Sequence, residues 1–194
     1  MTRYIVGPPP HARSVARALT VSERPVLAKV CLELGGKNPL VVCDDADLTL
    51  AAEHAGFEEK EKIKATLDEI GVEYDDLGTN SAESVDYPDY AARVAEKVSQ
   101  GRSDAGILAC GTGIGMSIVA NKFKDVRAAV VSDEYAAKMA KEHNNANILC
   151  LGGRIRNPEE AKRLVSVWLE TQYAGGRHDR RLEKIREIEK KNLK

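Results

Sequence analysis

From residue 48 onward, short uninterrupted apolar runs alternate with stretches where apolar residues recur every three or four positions among charges. The first pattern suits strands buried on both faces, the second helices with one face against a core. Leu48 to Ala52 reads as a strand, and Phe57 to Ile70 as a helix closed by Gly71. A short strand at Val72 to Tyr74 leads to a helix from Pro88 to Ser99, opened by its proline. Then come a buried strand at Ala105 to Ala109, a helix near Met116 to Lys122, a strand at Arg127 to Val131 and a helix from Asp133 to Glu142. Ala146 to Leu151 is the last strand, and Asn157-Pro158-Glu159-Glu160 is a helix start with a capping side chain, proline in the first turn and acids at the positive end. That helix runs to about Leu169, and a charged helix from Arg181 to about Asn192 follows it with a narrow stripe of Leu182, Ile185 and Ile188. Five strand–helix repeats predict a parallel five-stranded sheet with helices on both faces.

Composition narrows the function classes. The 194 residues carry a net charge of −1 and 5% aromatics, so neither electrostatic attraction nor base stacking favours nucleic acid. No apolar run approaches the length of a membrane span, and the first residues lack the apolar core of a signal peptide. Cysteines 31, 43, 110 and 150 are widely spaced in or beside apolar runs, which speaks for reduced thiols in a cytoplasmic protein rather than for metal or redox pairs.

In parallel sheets of this kind ligands bind at the carboxyl ends of the strands. Glu53-His54 follows the first strand, and Cys110-Gly111-Thr112-Gly113-Ile114-Gly115 follows the third. His143-Asn144 ends the helix after the fourth, and all three segments are expected to meet at one rim. Glycines at 111, 113 and 115 let amide groups turn inward, and the following helix adds its positive end, which makes a cradle for a phosphate or an oxyanion. The spacing is not that of a dinucleotide fingerprint. Cys110 is either a thiolate base or nucleophile beside that cradle, or a small buried residue at a strand end. Arg177 and Arg181 lie one turn apart if helical and either grip a phosphate or form a solvated basic start.

Asn80-Ser-Ala-Glu-Ser-Val-Asp-Tyr-Pro-Asp-Tyr90, Gly106-Ile-Leu-Ala-Cys-Gly-Thr-Gly-Ile-Gly-Met-Ser117, Glu142-His-Asn-Asn-Ala-Asn147 and Gly175-Gly-Arg-His178 resemble the ribose-5-phosphate isomerase B family, in the superfamily of the galactose-6-phosphate isomerase subunits. The resemblance runs from about residue 46 to 192. It implies a Rossmann-like, flavodoxin-like three-layer sheet, a homodimer or a tetramer of it, no metal and no cofactor. It also implies interconversion of ribose 5-phosphate and ribulose 5-phosphate through an enediolate. Cys110 would move the proton between C2 and C1. Thr112 and the amides of Gly111, Gly113 and Gly115 would hold the oxygens. His143 would assist ring opening with Asn144 beside it. Arg177 and Arg181 would bind phosphate in the other subunit's site, with His54 and Arg154 nearby, and Tyr87 would line the pocket. Glu53 stands where the family usually has Asp, so a contact to a sugar hydroxyl is expected to be lost or to shift. A non-catalytic sugar-phosphate binder and a hexose 6-phosphate isomerase are the alternatives.

Residues 1 to 47 fall outside that pattern. Val30-Cys-Leu-Glu-Leu-Gly-Gly-Lys-Asn-Pro-Leu-Val-Val-Cys-Asp-Asp-Ala-Asp-Leu48 resembles the aldehyde dehydrogenase segment around its catalytic glutamate, here Glu33. The stretch is too short for a nicotinamide-binding domain, so it reads as an N-terminal extension joined to an isomerase domain at 48–194. Its expectation is either a helix at His11 to Leu19 with a strand at Val30 to Leu34, or a loose segment.

Overall fold

The computed structural model describes residues 48–155 and 158–192. Glu33, the helix and strand expected before residue 48, and the cap at Asn157 lie outside the described residues. The elements are β1 (Leu48–Ala52), α1 (Phe57–Ile70), β2 (Tyr74–Asp76), α2 (Tyr87–Ser99), β3 (Ala105–Cys110) and α3 (Ile114–Ala120). They continue with β4 (Ala128–Val130), α4 (Glu134–Asn144), β5 (Ile148–Gly152), α5 (Pro158–Glu170) and α6 (Asp179–Asn192).

The strands form one parallel sheet in the order β2-β1-β3-β5-β4. The fold is the expected Rossmann-like α/β/α sandwich, and its first three positions follow the flavodoxin order. Beyond them the last two strands are exchanged: β4 takes the edge and β5 returns to pair with β3. Helices α2 and α3 contact each other, while α5 contacts both α1 and α4. Steps in the direction β2 to β4 therefore carry their helix on one face and steps in the reverse direction on the other, as right-handed crossovers require.

Two element boundaries move for local reasons. Val72 is not in β2. It closes α1 in a Schellman motif, with Val72 N donating to Leu67 O and Gly71 N to Asp68 O, and its apolar side chain is buried. Helix α3 begins at Ile114 rather than Met116, because Gly113 caps it with φ of 77°.

Strand alternation gives each face its own core. Ala51, Leu108, Cys110, Ile148 and Cys150 pack with Ala91, Val94, Ala95, Met116 and Ala120 of α2 and α3. Trp168 of α5 is 0% exposed, and the Lys141 ammonium lies 4.8 Å from its ring centroid. Lys60 is equally buried and pairs with Asp76 at 2.5 Å. A buried cation is tolerable only with such a partner, and the bond ties α1 to β2. Among the described residues no helix is long and apolar enough to cross a membrane.

Candidate active site

The sheet's chain direction reverses between β1 and β3: β1 leads outward to β2, and β3 leads the other way to β4. The crevice at the carboxyl ends of these two strands is where such folds bind ligands. Glu53-His54 leaves β1 there, and Cys110 ends β3.

Cys110 is buried and its thiol is free. Its sulfur accepts a hydrogen bond from Gly113 N at 3.1 Å. That bond holds the sulfur against the glycine loop. The turn needs glycine at 113: φ is +77°, and a Cβ there would lie 3.1 Å from the Leu151 backbone. Glycine at 115 serves close approach instead, since a Cβ would meet the Tyr87 ring at 2.7 Å. Tyr87, at the start of α2, thereby lies over the loop.

The amides of the loop are not equivalent. Gly111 N donates to Glu53 Oε1 at 3.0 Å, and Gly113 N is committed to Cys110. Ile114 N reaches Thr112 Oγ1 at 3.4 Å, at the limit of a hydrogen bond. The first amide bonded back in the helical manner is Ser117 N, to Gly113 O. Among the described residues, the amides of Thr112, Gly115 and Met116 have no such partner. The cradle expected from the glycines exists with a different set of donors, because two of its amides hold side chains of the site itself.

Glu53 is 5% exposed. Its extra methylene does not carry the carboxylate outward but folds it onto Gly111 N, while Oε2 lies 2.6 Å from His54 Nδ1. Val85 N also approaches His54 Nδ1, at 3.2 Å. One ring nitrogen cannot both donate to a carboxylate and accept from an amide. The carboxylate and the amide therefore compete for Nδ1. Arg154 completes this edge: its amide donates to Gly111 O at 3.1 Å, and its exposed side chain runs beside Gly111.

His143 and Asn144 are not at this rim, which corrects the expectation that all three segments converge within one chain. They end α4, which runs antiparallel to the strands and delivers them to the amino end of β5. The register from Gly106↔Ile148 to Cys110↔Gly152 covers four residues of rise. That is about 13 Å along the strand between the two edges. At the amino edge His143 stacks on His178, with ring centroids 4.3 Å apart and planes 14° from parallel. His178 is 5% exposed. Burial, then the neighbouring His143, Arg177 and Arg181, hold its pKa below the usual histidine value. Arg177 and Arg181 are exposed beside it, on a short helical turn and the first turn of α6.

His178 is the residue that sequence reasoning passed over. Its only signal was its place in the Gly-Gly-Arg-His run, and nothing in the spacing shows that a loop 35 residues on returns to His143. The asparagines after His143 divide their work. Asn145 caps α4 at φ of 45°, and Asn147 bonds Arg127 N and Asp125 O. Asn144 stays exposed beside His143. Cys150, behind Cys110 in the core, is a buried thiol whose pKa burial and Cys110 push well up. Among the described residues no three His, Cys, Asp or Glu side chains are grouped to hold a metal ion.

Comparison with known proteins identifies the family. Residues 48–185 match the Ribose/Galactose Isomerase family. Residues 5–61 match the aldehyde dehydrogenase family, overlapping β1 and the start of α1. The chain is 48% identical over 147 residues to the putative sugar phosphate isomerase YwlF of Bacillus subtilis, covering 75% of this chain and 99% of that protein. It is 48% identical over 144 residues to ribose-5-phosphate isomerase B of Escherichia coli, covering 74% and 97%. Among solved structures, the Clostridium thermocellum ribose-5-phosphate isomerase B superposes with a TM-score of 0.73 at 47% identity, over 75% of this chain and 98% of that one. The Mycoplasma genitalium ribose-5-phosphate isomerase B, solved with bound ribulose-5-phosphate, gives 0.72 at 40% identity, over 75% and 97%. The chain belongs to the ribose/galactose isomerase family.

Proposed function

We propose that this protein interconverts ribose 5-phosphate and ribulose 5-phosphate by proton transfer through an enediolate. The observation that carries the reading is the Cys110 sulfur, held by the Gly113 amide beside the amides of Thr112, Gly115 and Met116, which have no partner among the described residues. A thiolate takes the C2 proton of the open-chain aldose. The electron pair moves into the enediolate, whose oxygens are met by those amides and the Thr112 hydroxyl, and the thiol returns the proton to C1. Tyr87 lines the sugar pocket, and Arg154 and His54 flank it.

His143, Asn144, Arg177 and Arg181 serve the same reaction in the site of a second copy. They lie at the wrong edge to meet their own Cys110, while an exposed apolar face formed by Tyr87, Ile114 and Ile118 adjoins the loop. A homodimer that buries this face sets one chain's amino edge against the other's carboxyl edge. His143 then assists ring opening, and the two arginines bind the phosphate. Reduced Cys110 and Cys150 suit a cytoplasmic location. Residues 1–47 are an appendage to the isomerase domain of residues 48–194. Deletion of residues 1–44 is expected to leave turnover intact, and loss of folding would show the segment to be integral.

The deciding experiment supplies ribose 5-phosphate to the wild type and to Cys110→Ala. Turnover abolished by the substitution supports the reading, and binding without turnover in the wild type makes the protein a sugar-phosphate binder. A panel of pentose 5-phosphates and hexose 6-phosphates then fixes the sugar.

A further inference from the structure

Among the described residues the backbone is left-handed at two positions that are not glycine, Asp125 at φ of 60° and Asn145 at φ of 45°. Such conformations are strained and persist only where the surroundings hold them. Both carbonyls accept from one side chain. Arg127 Nε donates to Asn145 O at 2.9 Å, and Arg127 Nη1 donates to Asp125 O at 3.3 Å. Arg127 is itself fixed just before β4. Its amide donates to Asn147 Oδ1 at 2.7 Å, and its carbonyl accepts from Asn147 N and Ile148 N.

Each corner leads to one part of the amino edge. Asn145 closes α4 two residues after His143, with Asn145 N donating to Lys141 O and Ala146 N to Ala140 O. Asp125 N donates to Glu189 Oε1 at 2.8 Å, which ties the turn to α6, the helix that carries Arg181. The guanidinium is half-buried where its charge is unfavourable. Burial and then the Arg186 charge push its pKa down, while Asp125 and Glu189 act the other way. The hydrogen bonds to the two corners offset that penalty.

We propose that Arg127 is a positioning residue of the reaction, whose single guanidinium clamps both left-handed corners and so holds His143 and α6 together as one half of the site. The inference rests on the isomerase reading. Arginine suits the task because its donors leave a rigid plane in different directions. Lysine keeps the charge but is a point donor that does not span both carbonyls. The two corners depend on the clamp unequally. Asp125 O also accepts from Asn147 Nδ2 at 2.8 Å, so that turn keeps a second holder. Asn145 O has no other donor among the described residues. Loss of the clamp therefore falls on the end of α4 and on His143.

The test uses the full-length protein carrying Arg127→Lys. With ribose 5-phosphate, kcat is expected to fall about tenfold, because a displaced general acid–base group forfeits part of its contribution of roughly 10²–10⁴-fold. KM should stay within about threefold, since Asn147 still holds the corner that anchors α6. Imidazole 1H–15N correlation spectra read the displacement without turnover and are tractable with four histidines in the chain. The His143 and His178 signals should shift together because their rings are stacked, while His54, at the other edge, stays unmoved as the control. Asp125→Gly combined with Asn145→Gly relieves both corners, and Arg127→Lys in that background carries the test if the single variant does not fold. A kcat within about twofold of the matching parent, or a loss of stability with the His143 and His178 signals unmoved, overturns the clamp. A wild type without turnover fails at the isomerase reading instead, and the imidazole spectra then decide the clamp by themselves.

Discussion

The two edges of the sheet are built in different ways. At the carboxyl edge each site residue sits within two positions of a strand end or at the head of a helix. The placement of Glu53, His54, Cys110 and the glycine loop follows from the doubly wound topology itself. At the amino edge, His143 arrives on the last turn of α4 and is fixed by stacking on His178, delivered by the loop after α5. One edge carries the groups suited to proton transfer at carbon, and the other carries cations and a histidine pair. A single chain therefore holds these two groups about 13 Å apart along the strands, and the proposed homodimer brings them together as one site.

The separation is broken most directly by mixing variants. Cys110→Ala and His143→Ala homodimers are each expected to lose turnover by roughly a hundredfold or more. Co-expressed and mixed at random, they should regain about a quarter of wild-type activity, because half the dimers are hybrid and each hybrid rebuilds one of its two sites. Mixed samples no better than their parents would return both residues to one chain's site.

Two glycines of the same loop sharpen the carboxyl edge. Gly113→Ala forces a Cβ to φ of +77° and within 3.1 Å of Leu151 backbone atoms. A loss of about 1–3 kcal/mol in chemical denaturation should follow, with impaired turnover. Gly111→Ala would meet only the flexible Arg154 side chain, at 3.2 Å. Its stability should stay within about 0.5 kcal/mol of wild type.

At the amino edge, His178→Ala removes the stack that orients His143. Aromatic stacking is worth about 0.5–1.5 kcal/mol, so kcat should fall by at most about tenfold. The smallest effect is on pH dependence. The fold holds the pKa of His178 below its ordinary value, so the unfolded chain binds the proton more readily. The stabilisation is full above the usual histidine range, near pH 6.5, and declines as pH falls through it. Denaturation midpoints at pH 7.5 and 5.5 should differ less for His178→Ala than for wild type. Asp76 acts in the same direction at lower pH. Burial works against its charge, but the hydrogen bonds from Lys60 and Lys64 prevail and hold its pKa below the usual carboxylate value. Its contribution is therefore present above about pH 4 and lost as pH falls below it.

Periodicity placed the elements of residues 48–192 to within a few positions. Apolar runs alternating with amphipathic stretches left little but a parallel sheet covered on both faces, because each apolar face must be buried. The loop at Cys110 was legible for the same reason, as a glycine-rich turn at a strand end in such a sheet. The tertiary structure decided what local pattern does not encode. It exchanged β4 and β5, because pairing order depends on which edges remain open. It turned Glu53 inward, because a buried carboxylate needs donors and Gly111 N and His54 supply them. It also sent His143 to the far edge, because a helix that returns antiparallel to its strands ends where the next strand begins. Spacing along the chain shows which residues can carry the chemistry, and only the packing shows that they stand at opposite ends of one sheet.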